Sequence, residues 1–145
     1  RGIHNLSQAP HGCVLTIGNF DGVHRGHRAL LQGLREEGRK RNLPVMVMIF
    51  EPQPLELFAT DKSPARLTRL REKLRYLAEC GVDYVLCVRF DRRFAALTAQ
   101  TFISDLLVKL LDLSPHIVYP ALIEVLVFHL VLKVDLLAQL GLLVK

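Results

Sequence analysis

Three short apolar runs, each followed by a stretch of helical periodicity, constrain this chain more than any other feature. Cys13–Gly18 is a β-rich run ending in glycine, Val45–Phe50 is continuously apolar and bounded by prolines, and Tyr84–Val88 is a third run. Leucines at helical spacing follow the first two: Leu30, Leu31 and Leu34 between about His27 and Arg41, then Leu67, Leu70, Leu74 and Leu77 across about Thr68–Cys80. Phe102, Ile103, Leu106 and Leu107 mark a third helix from Thr98 to about Leu110. Asn42 and Pro44 stop the first helix, and Gly81 is the natural C-terminal cap of the second. A run as uniformly apolar as Val45–Phe50 suits a central parallel strand covered on both faces. Strands alternating with helices specify a parallel sheet with right-handed crossovers. The expected fold is therefore α/β, a Rossmann-like parallel sheet with flanking helices. Ligands of such sheets gather beyond the carboxyl ends of the strands, which brings the Gly18–His27 and Glu51–Pro54 loops to one edge. Pro52 and Pro54 keep their predecessors out of the helical region, so Glu51–Pro54 is expected to be an extended loop.

The chain has 145 residues, of which 50% are hydrophobic and 23% charged, enough to bury one domain's core and too ordered in composition for a disordered or fibrous chain. Three cysteines, Cys13, Cys80 and Cys87, are an odd number without any C-x-x-C pairing, which argues against a disulfide framework or a Cys-rich zinc module and for a reducing compartment. Cys80 and Cys87 read as small buried hydrophobes. With no charged-then-apolar leader in view, the expected location is cytoplasmic. A net charge of +5 favours anionic partners, from nucleic acid to membrane surfaces to phosphorylated small molecules. The charge is uneven. Residues 110–145 carry Lys133 and Lys145 against Asp112, Glu124 and Asp135, so all of the positive excess sits in residues 1–109. The domain is expected over 1–109, with 110–145 an apolar tail packed on it as a buried strand and helix. Glu124, His129, Lys133 and Asp135 interrupt that tail, and each ionised group would cost about 2.5–3.5 kcal/mol in mid-membrane. No membrane partner is expected.

The chemistry concentrates in Gly18-Asn19-Phe20-Asp21-Gly22-Val23-His24-Arg25-Gly26-His27, between the first strand and the first helix. Its glycines let the backbone approach a ligand closely, and unpaired N–H groups at a helix start form a phosphate site. His24 and His27, three apart, project from one face of that first turn and can donate hydrogen bonds to phosphate oxygens. Arg25 and Arg28 raise the local potential. The glycine spacing is neither a P-loop nor a dinucleotide fingerprint. An H-x-x-H pair can bind metal, but no further ligand at metal-site spacing completes a zinc site, and metal ligands stay unassigned.

His24-Arg25-Gly26-His27 resembles the HxGH signature of the nucleotidylyltransferase superfamily, and Gly18–His27 as a whole is similar to the form found in bacterial bifunctional riboflavin kinase/FAD synthetases. The similarity continues through Phe50–Pro54, Arg66-Leu67-Thr68, Glu72-Lys73, Gly81-Val82-Asp83, Phe90-Asp91 and Phe102, covering residues 1–109. The resemblance implies a nucleotidylyltransferase type of α/β fold and FMN adenylyltransferase activity. ATP, with Mg²⁺, and FMN would give FAD and pyrophosphate by direct displacement at the α-phosphorus. It further implies that His24 and His27 are the catalytic pair on the ATP phosphates. Gly18, Asn19, Phe20, Asp21 and Gly26 would line the ATP pocket, and Phe50, Glu51, Pro52, Gln53 and Pro54 would shape the flavin side. Glu51 is also a candidate for a polar or Mg²⁺-linked contact. For Phe50 and Glu51 the plain alternatives, a strand-end core residue and a solvated carboxylate, stand equally. Partners are then ATP and FMN, not nucleic acid.

Beyond Lys109 the resemblance stops. The family's flavin segment and its Ile-Ser-Ser-Thr-x-x-Arg helix start do not occur in residues 110–145, nor does the riboflavin kinase barrel. The α/β unit is expected to be C-terminally incomplete, and the chain weak or inactive in the family reaction. Two other functions remain open: a nucleotide- or flavin-binding fragment without turnover, and an HxGH transferase for another phosphorylated acceptor. Arg66, Arg69, Arg71, Arg75, Arg89, Arg92 and Arg93 are expected on solvated faces.

Overall fold

The computed structural model describes residues 12–58 and 65–108. The tail from 110, expected as a strand and helix, lies outside the described residues. Three parallel strands, β1 (Val14–Ile17), β2 (Val45–Glu51) and β3 (Tyr84–Arg89), lie in chain order, with β2 between its neighbours. Val14 pairs with Val45 and Ile17 with Met48, while Met46 pairs with Tyr84 and Glu51 with Arg89. The apolar run of β2 follows from this placement, because a central strand meets packed side chains above and below.

Chain order combined with right-handed crossovers puts both connecting helices on the same face of the sheet. Helix α1 (Arg25–Arg41) buries Leu31 and Leu34, and α3 (Leu70–Glu79) buries Leu77, against the alternate β2 residues Val45, Val47 and Ile49. The other face carries Leu15, Ile17, Met46, Met48, Phe50, Leu86 and Val88. Short helices cover it: α2 (Pro54–Phe58), α4 (Arg92–Ala95), and α5 (Ala99–Thr101), which continues as a π-helical turn over Phe102–Val108. Phe50, Phe90 and Phe94 form the aromatic centre of this layer, their ring centroids 5.4–5.7 Å apart.

Several expectations need correction. β2 runs through Glu51, and Pro54 opens α2, so the extended loop shrinks to Pro52 and Gln53 around a cis Glu51–Pro52 bond. Proline suits a first helical turn, where its missing N–H has no partner to lose. Helix α3 starts at Leu70, because the Glu72 carboxylate accepts from the Arg69 N–H (2.9 Å) and caps it there. Leu67 therefore precedes the helix and is 74% exposed, outside the leucine stripe. The third expected helix takes π geometry from Phe102, and its end lies outside the described residues. Cys80 and Cys87 are only half-buried; Cys13 is the fully buried one, its thiol pushed up to about 11 by burial. Gly81 does cap α3, at φ 77°, with the Val82 N–H bonded back to the Leu77 carbonyl. Among the described residues, no helix is long and apolar enough to cross a membrane.

Two glycines of α1 give opposite forecasts. A Cβ on Gly38 would stand 2.8 Å from the Leu43 carbonyl oxygen and 3.2 Å from Val45, whereas one on Gly33 would meet nothing within 4 Å. Urea unfolding should show Gly33→Ala gaining about 0.5–1 kcal/mol and Gly38→Ala losing about 1–3 kcal/mol. Equal effects would contradict the close seating of α1 on β1 and β2.

Candidate functional site

The chain leaves β1 at Gly18, whose N–H still bonds the Met48 carbonyl (3.0 Å), and turns sharply. Phe20 sits in the left-handed region (φ 48°), Gly22 at φ 72° and Val23 at φ 39°. Positive φ at a β-branched valine is rare and persists only where the surroundings enforce it. They do so here by burial: Phe20 and Val23 are 2% and 1% exposed and pack with Leu31, Val47 and Ile49. The Phe20 ring lies over Gly18, where an added Cβ would come within 3.0 Å of it. Arg28 closes the turn by donating from Nε to the Val23 carbonyl (3.2 Å).

His24 is the N-cap of α1, its Nδ1 accepting from the His27 N–H at 3.4 Å. The two imidazoles stack, centroids 3.7 Å apart and planes 19° off parallel. Phe20 closes the other side of the His27 ring at 4.9 Å. Gly26 fits because a Cβ there would press on the His24 ring at 3.3 Å. His24 is exposed and His27 half-buried. Burial, then the neighbouring His24 and Lys73 charges, hold the His27 imidazole below its ordinary pKa against the opposing pull of Asp21. His27 is thus neutral near pH 7, ready to gain a proton when an anion approaches. Its Nδ1 is buried without a hydrogen-bond partner.

Residues 65–69 form a strap that sequence reasoning missed. Asp21 accepts from the backbone N–H groups of Leu67 (2.8 Å) and Thr68 (2.9 Å) and from the Thr68 hydroxyl (2.9 Å). The Gly22 N–H in turn donates to Thr68 Oγ1 (3.0 Å). Burial raises the Asp21 pKa, but these donors, with Lys73, outweigh it and hold the carboxyl below the usual carboxylate range. At the other end of the strap Arg66 donates to Glu51 Oε1 (2.5 Å) and grips Glu56 through both Nε and Nη2. Hydrogen bonds from Arg66, first among the causes, draw the Glu56 pKa down. The expected solvated role of Arg66 is therefore corrected: it is an ion-paired clasp. Its only advance signal was the Arg-Leu-Thr string itself, since contacts bridging 10 and 15 residues through a loop leave no local periodicity.

The strap thus joins the turn after β1 to the lip of β2. Gly18, Asn19, Asp21, Gly26, His24 and His27 come together at this edge, as does Glu51. Phe50 does not: it faces the opposite layer, 3% exposed, as a strand-end core residue. The buried Nε2 of Gln53 finds no acceptor, and the Gln53 backbone N–H donates to Glu56 Oε2 (2.9 Å). A separate open cavity of about 400 Å³ lies at the far, N-terminal end of the sheet, lined by Arg35, Gly38, Pro44, Gly81 and Asp83. It is remote from the imidazoles and plays no part in this site.

A short parallel sheet with a strained turn and paired imidazoles at its C-terminal edge defines an α/β nucleotidyltransferase-like fold. A protein described as a macrolide-efflux protein from Streptococcus pneumoniae has a solved structure sharing this fold, at a TM-score of 0.65 and 28% identity over 78% of this chain and 38% of that one. The family model for FAD synthetase matches residues 6–119, past the Lys109 boundary, and the chain belongs to the FAD synthetase family. The bifunctional riboflavin kinase/FMN adenylyltransferase of Escherichia coli (strain K12) is 94% identical over 110 residues, 75% of this chain and 35% of that protein. Its Haemophilus influenzae counterpart is 50% identical over 108 residues, 74% of this chain and 35% of the relative. The chain spans about a third of the length of the curated relatives it matches.

Thr68→Val tests the strap, since it removes a hydroxyl that both donates to Asp21 and accepts from Gly22. The expected loss is about 1–3 kcal/mol by urea unfolding. The pH dependence should change with it. A depressed Asp21 contributes stability that is present above its unfolded pKa and disappears as pH falls through its folded pKa. In Thr68→Val the acid unfolding limb should be shallower; an unchanged limb would show that Asp21 is not the fastener.

Proposed function

We propose that this chain is the adenylyl-transferring part of an FAD synthetase. The reading is supported most by the stacked His24–His27 pair on the first turn of α1, at the sheet edge where α/β folds bind ligands. ATP would lie with its phosphates against that turn, where open backbone N–H groups and the helix dipole favour anions. An oxygen of the FMN phosphate attacks the α-phosphorus of ATP. The bond from that phosphorus to the bridging oxygen breaks, and pyrophosphate leaves. The protein forms no covalent bond in this scheme, so its contribution is alignment and charge neutralisation. His27, sandwiched between Phe20 and His24, can take up only limited motion, which suits a group that must meet developing charge. Residues Glu51–Pro54 at the neighbouring lip would form the flavin side, with the Arg66 clasp fixing Glu51.

The described donors do not form a resident metal site. Among the described residues no three His, Cys, Asp or Glu side chains converge, and Asp21 and Glu51 are engaged by the strap. Mg²⁺ therefore enters this reading as part of the ATP–Mg²⁺ substrate.

A second reading, nucleotide binding without turnover, draws on residues 120–145, which lie outside the family match. Calorimetric titration with ATP–Mg²⁺ and with FMN, followed by an assay for FAD and pyrophosphate, separates the two. Binding of both with product release supports the first, binding alone the second, and no binding of either ligand overturns both. His27→Ala should weaken nucleotide-dependent activity about 100- to 1,000-fold, whereas Arg92→Ala, at an exposed position of α4, should leave it unchanged. Equal effects would displace the site. ATP binding near pH 7 should also take up protons, because an anion beside His27 raises a pKa that burial had lowered. The binding enthalpy should then differ between buffers of unlike ionisation enthalpy, and His27→Ala should erase that difference.

A further inference from the structure

Helices α1 and α3 start at the same edge of the sheet, pack on the same face, and carry matching arrangements in their first turns. On α1, His27 stands one turn before the buried Leu31; on α3, Lys73 stands one turn before the buried Leu77. Side chains four apart share a helix face, so both residues are directed toward the sheet near its C-terminal lip. The Lys73 side chain is 0% exposed, and its Nζ has no hydrogen-bond partner. Its charge acts on Asp21, Glu51, Arg66 and Cys87, and also on His27, groups from five different segments around the edge. The ammonium therefore shares this edge with the groups of the site.

A buried ammonium with three unmatched donors is among the costliest groups a fold can hold. The nearby Asp21 and Glu51 favour its charge but give it no hydrogen bond. Asp21 uses its oxygens on Leu67 and Thr68, and Glu51 Oε1 is held by Arg66. Thr16 Oγ1, His27 Nδ1, Glu51 Oε2 and Lys73 Nζ are four of the five buried side-chain atoms without partners among the described residues. All four lie on the α1/α3 face by strand alternation and helix register. Three of them, on His27, Glu51 and Lys73, stand at the C-terminal edge of that face, and unmatched polar atoms there mark a position that a polar ligand completes.

We infer that Lys73 is a further phosphate-binding residue of this site, taking an anionic oxygen of the nucleotide from the α3 side while His24 and His27 take it from the α1 side. The inference rests on the adenylyl-transfer reading. A lysine stem has four rotatable carbons, so a rotamer change can carry the ammonium to the rim without moving the helix. Arg66 occupies Glu51 Oε1 and both oxygens of Glu56, and no side chain hydrogen-bonds the Lys73 ammonium, which leaves its donors available to an incoming phosphate.

The experiment compares the 145-residue chain with Lys73→Met and Lys73→Arg, measuring thermal unfolding without ligand and calorimetric binding of ATP–Mg²⁺ and of adenosine. For a phosphate ligand, Lys73→Met unfolds at the same or a higher temperature, because an unmatched buried charge is gone. It loses about 10- to 100-fold in ATP affinity with adenosine affinity unchanged. Lys73→Arg recovers part of the ATP affinity. Lower thermal stability of Lys73→Met with equal losses for ATP and adenosine would show a purely structural counter-charge and overturn the inference. ATP binding equally to the unmodified chain and to Lys73→Met overturns it while leaving the adenylyl-transfer reading intact; failure of the unmodified chain to bind ATP overturns both.

Discussion

One carboxylate ties together two segments that the sequence keeps far apart. Asp21 accepts from Leu67 and Thr68, 46 and 47 residues away, and Thr68 returns the contact through the Gly22 N–H. Charge-assisted hydrogen bonds to backbone donors are short, directional and stronger than neutral ones. Two of them, with a third bond from the Thr68 hydroxyl, fix a turn whose own backbone has positive φ at Phe20, Gly22 and Val23. The stacked imidazoles inherit their position from that turn. His24 caps α1 where the turn delivers it, and His27 follows one turn of helix later.

Sequential strand order has a chemical consequence as well as an architectural one. Because α1 and α3 cross on the same side, their first turns converge on one lip of the sheet, and the polar side chains at their starts share a site. The opposite layer carries no such burden. Phe50, Phe90, Phe94 and Phe102 fill it with edge-to-face and tilted ring contacts, and short helices suffice to cover it. Met46, Met48 and Phe50 thus belong to a packing layer, and Val47, Ile49 and Glu51, interleaved with them on β2, lead to the functional edge.

Arg66 shows how a surface reading fails. In sequence it is one of many arginines in a basic chain, and solvation is the natural default. In the fold it meets two carboxylates that arrive from β2 and α2, and partial burial strengthens the pairing. Lys73 is a sharper case. Its neighbours Glu72 and Leu74 mark an ordinary amphipathic helix, and nothing in the heptad-like spacing distinguishes a lysine on the wet face from one under the strap. Phe50 runs the other way: a motif position next to Glu51 at the end of β2 turns out to be a core residue, because strand alternation points it to the far side.

The sequence by itself determined the parallel α/β architecture, the central place of Val45–Phe50, the cap at Gly81 and the family to which the Gly18–His27 string belongs. Each of these rests on local propensity or short-range pattern, which a linear chain displays directly. Only the tertiary structure decided that residues 65–69 clasp both loops, that α3 begins at Leu70, and that Lys73 lies buried opposite His27. Those features depend on which groups meet across tens of residues, and the free energy of a buried charge or a shared carboxylate is set by its neighbours in space.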